Sequence, residues 1–157
     1  MGETLLPMTV ADLDRVLAIE VSVYSHPWTR GNFIDSLAAG YLAWLRLDAQ
    51  GRCIGYCVAM PGFEETHLLN LTVAPAAQRR GHARAMLQAL CEACRERGDR
   101  MLWLEVRQGN AVARQLYERF GFDTVGLRRD YYPAGQGRRE DAVVMKMGFG
   151  RSGDALV

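Results

Sequence analysis

Lysine is almost missing from this chain. Of its 19 basic residues only Lys146 is lysine and the rest are arginine, a habit that reflects coding composition more than function. An excess of either charge is missing too. Nineteen basic residues stand against 18 acidic ones, a net charge of +1. That balance gives no whole-molecule case for binding nucleic acid or a membrane surface. No window approaches the roughly 18 consecutive apolar residues of a membrane span. The opening MGETLLPMTVADLD has neither a basic stretch nor a long apolar core, so no secretory leader is expected and the cytoplasm is the expected location. Cysteine is sparse, and its spacing does not suggest a metal site. Cys53 and Cys57 lie in a strand-like run, and Cys91 and Cys94 form C-x-x-C inside a long helix, away from the helix start where a redox pair would gain from the dipole. Reduced, buried thiols are expected and no metal. Neither G-x-x-x-x-G-K-[ST] nor G-x-G-x-x-G occurs at a strand-to-helix turn.

What is present suffices for one domain with a core: 157 residues, 49% of them hydrophobic. Residues 4–8 read as a short first strand. Asp12 is placed to cap a helix with Leu13, Val16, Leu17 and Val21 on its apolar face, broken near Ser25–Thr29 because Pro27 biases His26 away from helical geometry. Thr29 caps a second helix running to about Ala38. Residues 41–47 and 52–60 alternate as two strands around the turn Asp48-Ala49-Gln50-Gly51. A third apolar strand, 67–73, is stopped by Pro75 and followed by a long helix over 83–97 with Gly98 at its C-cap. MLWLEV forms the next buried strand. Asn110 opens a helix with Ala113, Leu116, Tyr117 and Phe120 on one face, closed by Gly121. Strands over 122–128 and 141–146 follow, joined by a loop that holds Tyr131, Tyr132 and Pro133. The reading is therefore an α/β domain over 1–148 with a mixed, mostly antiparallel sheet, its one parallel pair flanking the long helix through a right-handed crossover. Residues 149–157 read as a disordered tail.

Three places carry candidate chemistry. The loop Gln78-Arg79-Arg80-Gly81-His82-Ala83-Arg84 sits between a strand and a helix start, where unpaired N–H groups and the dipole favour phosphate. Gly81 and Ala83 let backbone approach a bulky anion; the plainer reading is a solvated basic turn. Glu105 ends an apolar strand, which suits a general base, or else is a rim glutamate paired with Arg107. Glu20 lies on or beside an apolar helix face, either as a rim carboxylate or looking into a substrate groove. Tyr117, on a core stripe, reads first as a packing residue.

The register Gln78-Arg79-Arg80-Gly81-His82-Ala83 after Leu71-Thr72-Val73 resembles the acetyl-CoA signature Q/R-x-x-G-x-G/A of the GCN5-related N-acetyltransferases, with Ala83 in place of the last glycine. The resemblance extends to about Met147. LWLEVR, the NAVARQLYERFGF string from Asn110, RRDYYP, and Arg139-Glu140-Asp141-Ala142 are similar to the RimI group of that family, which acetylates the N-terminal alanine of a small-subunit ribosomal protein. The resemblance implies two central parallel strands splayed around the cofactor. It implies Glu105 as base and Tyr117 as acid. It implies that the backbone of Leu71, Thr72 and Val73, that of Arg79, Arg80, Gly81, His82, Ala83 and Arg84, and the Asn110 side chain hold acetyl-CoA. Trp28, Tyr131 and Tyr132, with Glu20, are expected around a peptide groove. The expected partner is a ribosomal protein N-terminus or another peptide, with no metal and a monomer or weak oligomer. A glycine-rich insertion before Arg139 departs from the group's pattern. An acetyltransferase for a small amine or a lysine side chain is the alternative, and a non-catalytic CoA-binding module the third possibility.

Overall fold

Alternating apolar residues build most of the sheet. The computed structural model describes residues 2–150. Among them run seven strands, β1 (Thr4–Pro7), β2 (Leu42–Leu47), β3 (Cys53–Pro61), β4 (Glu65–Val73), β5 (Met101–Arg107), β6 (Asp123–Pro133) and β7 (Arg139–Gly148). Four α-helices accompany them: α1 (Leu13–Val23), α2 (Arg30–Ala38), α3 (His82–Arg97) and α4 (Ala111–Phe120). The strand order is β1-β2-β3-β4-β5-β7-β6, with β4 and β5 parallel. No helix among the described residues is long and apolar enough to cross a membrane.

The chain forms two compact units. The first holds residues 1–61 and 68–90. In it β1 pairs antiparallel with β2, and β2 with β3, over the turn where Gly51 takes φ 79°. Its core joins Leu13, Val16, Phe33, Leu45, Tyr56 and Val58. Thr29 caps α2 reciprocally: its Oγ1 accepts from the Asn32 N–H at 3.1 Å, and Asn32 Oδ1 accepts from the Thr29 N–H at 2.9 Å. Two expectations about α1 are met only in part. Val21 is 61% exposed, because the buried stripe turns through Leu13, Val16 and Glu20 instead. Asp12 does stand at the N-cap of α1, but its side chain makes no cap bond there; its Oδ2 accepts the Thr9 N–H at 2.8 Å across a 3₁₀ turn.

The second unit holds, among the described residues, 62–67 and 91–150. β7 lies antiparallel between β5 and β6. The end of α3 closes where Gly98 adopts φ 80° and its N–H reaches Arg95 O at 3.0 Å. Here the sequence-based boundaries err in three ways. β4 starts at Glu65, two residues before the expected 67. Tyr131, Tyr132 and Pro133 belong to β6 instead of a loop, since a break in register after Arg128 lets the strand resume at Tyr132 opposite Glu140. Phe149, assigned to the tail, is buried: its N–H donates to Arg100 O at 2.7 Å and the Arg95 guanidinium lies 5.0 Å from its ring centre. The remaining tail positions, 151–157, lie outside the described residues.

Candidate active site

In the first unit the anion-binding candidate is built at the junction of β4 and α3. Pro75 ends the strand and opens a 3₁₀ turn over Pro75–Ala77. Gln78 folds back so that its Nε2 donates to Val73 O at 3.1 Å. Arg79 then takes φ 65° and Gly81 φ 85°. A left-handed arginine is uncommon and costs about 1–2 kcal/mol, a strain that concentrates at ligand-binding turns. A Cβ on Gly81 would meet nothing within 4 Å, so the loop presents open backbone at that point. Arg79, Arg80 and Arg84 are exposed, and the Ala85 N–H already returns to Gly81 O, so the helix begins immediately after the glycine. An open turn, three guanidinium groups and a 16-residue helix's N-terminus fit a pyrophosphate. His82 is the exception among the loop residues. Its ring is buried, and its Nδ1 accepts from Arg46 Nε at 2.9 Å. Burial and then the neighbouring arginine push its pKa down, so the imidazole is neutral and only its backbone belongs to the loop.

Further up β4 the sequence reading placed Leu71, Thr72 and Val73 at the cofactor. β3 passes this segment closely because residue 55 is glycine: a Cβ there would lie 2.8 Å from Thr72 O and 3.1 Å from Met86 Cε. Thr72 itself is buried, with its hydroxyl donating to Asn70 Oδ1 at 2.7 Å. Asn70 Nδ2 donates to Glu20 Oε1 at 3.1 Å, as does the Tyr56 hydroxyl at 2.7 Å, and the Trp28 N–H donates to Glu20 Oε2 at 2.8 Å. Glu20 is 1% exposed. It is therefore neither a rim carboxylate nor a group facing a groove; the α1 turn carries it inside, among donors from β3, β4 and the loop before α2. Trp28 packs against Phe33 with ring centres 5.0 Å apart. It also lines a cavity of about 360 Å³ with Asn32, Asp35, Ser36, Tyr41 and Leu69.

The second unit gathers chemistry around Glu105. Its side chain is only 5% exposed. Oε1 receives the Tyr131 hydroxyl at 3.3 Å and lies 3.1 Å from His67 Nε2. Oε2 lies 2.8 Å from Arg128 Nε, a close ion pair without the alignment of a hydrogen bond. His67 stacks on Trp103, ring centres 3.6 Å apart, and Arg128 sits 5.3 Å over the Tyr131 ring. The His67 pKa lies below its ordinary value, with burial the first cause, while the Glu105 carboxylate pulls it the other way. Burial raises that of Tyr131, with the same carboxylate adding to it, so its hydroxyl stays a donor. The alternative Glu105–Arg107 pair does not form, because Arg107 donates to Pro133 O at 2.7 Å and to Glu140 at 3.1 Å and stacks over Tyr132. Tyr117 is buried on the α4 stripe, edge-on to Phe122 at 5.5 Å. The Asn110 side-chain oxygen, expected at the cofactor, accepts the Ala113 N–H at 3.1 Å and so caps α4.

Several functional neighbours escaped the sequence reading. His67, Arg128 and Trp103 surround Glu105, and the only available signal was strand alternation: residues 67, 103 and 105 fall on the less buried faces of β4 and β5. Arg139 and Asp141 were noted only for their resemblance. In the fold Arg139 donates to Asp130 O and Tyr131 O, while Asp141 Oδ1 accepts the Asp130 N–H, so the pair fixes the strand that carries Tyr131. Among the described residues no group of three or more His, Cys, Asp or Glu is arranged to hold a metal ion.

The strand-loop-helix turn and, in the other unit, a buried glutamate on β5 are features of the kind the sequence signature suggested. Residues 13–122 match the sequence profile of the Acetyltransferase (GNAT) family, and the chain belongs to it. Among its relatives is the [ribosomal protein bS18]-alanine N-acetyltransferase of Haemophilus ducreyi, 38% identical over 87% of this chain and 93% of that one. The protein of the same name from Escherichia coli K12 is 35% identical over 92% of this chain and 96% of its own length. The crystal structure of the ribosomal-protein-S18-alanine N-acetyltransferase from Escherichia coli superposes with a TM-score of 0.88 at 34% identity, covering 99% of both chains.

Proposed function

We propose that this acetyltransferase moves the acetyl group of acetyl-CoA onto the α-amine of an N-terminal alanine, with ribosomal protein bS18 as its substrate and the cytoplasm as its location. The observation that carries the reading is the enclosure of Glu105 by His67, Arg128 and the hydroxyl of Tyr131, a residue of the RRDYYP strand. The proteins it resembles at 35–38% identity are named for that reaction. Acetyl-CoA supplies the activated thioester. The Gln78–Arg84 loop binds its phosphates through backbone N–H groups at the start of α3 and through the three exposed arginines. Backbone near Val73 donates to the thioester carbonyl, a contribution of roughly 3 kcal/mol to the reaction barrier. The Glu105 carboxylate takes the proton of the attacking ammonium, and the Tyr117 hydroxyl returns one to the departing sulfur. Trp28, Tyr131 and Tyr132 orient the peptide.

Incubation with acetyl-CoA and short peptides differing at residue one tests this. A peptide beginning with Ala acquires one acetyl group at its α-amine, located by tandem mass spectrometry. The same peptide with a blocked terminus and an internal lysine stays unmodified. Acetyl found mainly on the lysine, or only on small amines, replaces this reading with the alternative substrate class.

A further inference from the structure

We infer that Glu20 is a positioning residue, whose two carboxylate oxygens fasten the loop between α1 and α2 to β4 and so fix Trp28 for substrate. The inference rests on the peptide-acetylating reading above. Its geometry does not depend on that reading.

The direction of every proton in the buried chain can be assigned. The Thr72 hydroxyl lies 2.7 Å from Asn70 Oδ1, and a carbonyl oxygen only accepts, so Thr72 donates there. Its proton is then spent, and the 2.7 Å contact with the Tyr24 hydroxyl is made by the tyrosine's proton, ahead of the longer 3.4 Å contact with Leu71 O. The Asn70 amide nitrogen, fixed by the same logic, donates to Glu20 Oε1. Tyr56 donates to that oxygen as well, and the Trp28 N–H donates to Oε2. Burial raises the pKa of both tyrosines, so neither loses its proton near neutral pH. Three of these donors, the Asn70 amide, the Tyr56 hydroxyl and the Trp28 N–H, end on the Glu20 side chain. The Tyr24–Trp28 stretch is thus held to β4 at both ends, through Tyr24 to Thr72 and through Trp28 to Glu20 and Asn70. Pro27 adds no N–H of its own to the connection.

A carboxylate meets this demand and a carboxamide does not. Three donors divided between two oxygens require acceptors on both sides, and glutamine offers one. In Glu20→Gln the remaining carbonyl keeps Tyr56 and Asn70, while the new NH₂ group opposes the Trp28 N–H, two donors facing each other. The substitution therefore severs the contact to Trp28 and leaves the β4 side in place.

The experiment has two readouts. Hydrogen exchange of the Trp28 amide reads the contact without reference to catalysis: protection is expected in the wild type, and a loss of about tenfold or more in Glu20→Gln, which is the loss of one buried contact. Steady-state kinetics with an Ala-initiated peptide is expected to show KM for the peptide raised about tenfold, while the dissociation constant for acetyl-CoA changes less than about twofold. Tyr56→Phe, which removes a donor from the other oxygen, is expected to leave the Trp28 amide protected. An unprotected Trp28 amide in the wild type overturns the inference, as does full protection in Glu20→Gln. Equal changes in peptide KM and acetyl-CoA affinity also overturn it, since they mark a merely structural residue. If Glu20→Gln does not fold, the wild-type exchange rate and Tyr56→Phe still decide. If no peptide is acetylated by the wild type, the functional reading fails while the exchange data continue to judge the contact.

Discussion

In the proposed reaction Glu105 and Tyr117 divide the work by the protons they carry. The attacking α-amine has a pKa of about 8 in water and must lose a proton before it attacks. Glu105→Gln is therefore expected to lower turnover by about 10²-fold or more, with partial recovery as pH rises and free amine accumulates. Tyr117→Phe is also expected to slow turnover, but without that recovery, because the missing proton is at the leaving sulfur. A pH–rate series on both variants checks the assignment; near-normal turnover of Glu105→Gln at pH 7 removes Glu105 from the role of base. The three neighbours of Glu105 explain why a buried carboxylate is tolerated here at all. A lone buried charge is costly, and His67, Arg128 and Tyr131 surround this one. Arg128 is half exposed, so its attraction is screened and its main effect is on the orientation of the carboxylate.

At the scale of elements, two glycines mark where backbone must come close to something. Gly55 lets β3 lie against the Thr72 carbonyl, with only 2.8 Å left for a Cβ. Gly55→Ala must displace that backbone; it is expected to weaken acetyl-CoA binding about tenfold and to lower Tm by several degrees, an overpacking cost of roughly 1–3 kcal/mol. Calorimetric titration with acetyl-CoA measures the first effect and a thermal melt the second. Gly81 differs, since a Cβ there meets no neighbour and the residue is needed for its φ of 85° and its open backbone. Wild-type protein is expected to gain about 2.7 kcal/mol of stability from acetyl-CoA at a hundredfold excess over its dissociation constant. Gly81→Glu is expected to lose that gain, because the substitution adds negative charge at the proposed phosphate site. An equal melting shift in both proteins refutes the loop assignment.

At the scale of the whole molecule, two imidazoles, the partly buried one of His67 and the buried one of His82, tie stability to pH. The pKa of His67 and of His82 lies below the ordinary value of 6.5, burial being the first cause in each. Each group binds its proton more readily in the unfolded chain. Their contribution is thus fully present above pH 6.5 and is lost as the pH falls through the unfolded value toward the lowered folded one. Thermal melts at pH 7.5 and 5.5 are expected to show Tm falling by a few degrees at the lower pH. His82→Gln is expected to flatten part of that dependence. A Tm unchanged between the two pH values contradicts it. The carboxylates of Asp12 and Asp48 act in a lower window, since their pKa values lie below 3.8.

Local patterns determined much of this protein from the chain alone. Alternation placed β2, β3, β5 and β7 within a residue or two, and the capping chemistry of Thr29, Gly98 and Asn110 marked helix ends, because those signals act between near neighbours. The Gln78–Ala83 turn was legible for the same reason: the features on which its proposed anion-binding role rests lie within six consecutive residues. What the sequence left open depends on contacts between residues far apart in it. Whether Glu20 faced a groove or the interior was decided by Trp28, Tyr56 and Asn70, eight to fifty residues away. Glu105 found its partners in His67, Arg128 and Tyr131 and not in Arg107, which Glu140 and Pro133 had engaged. The strand carrying Tyr131 and Tyr132 looked like a loop because its glycine-rich tip and broken register hid the alternation. Only pairing with β7, held by Arg139 and Asp141, made it a strand. Burial and hydrogen-bond partnership are properties of the folded neighbourhood, and no local pattern encodes which distant donor will arrive.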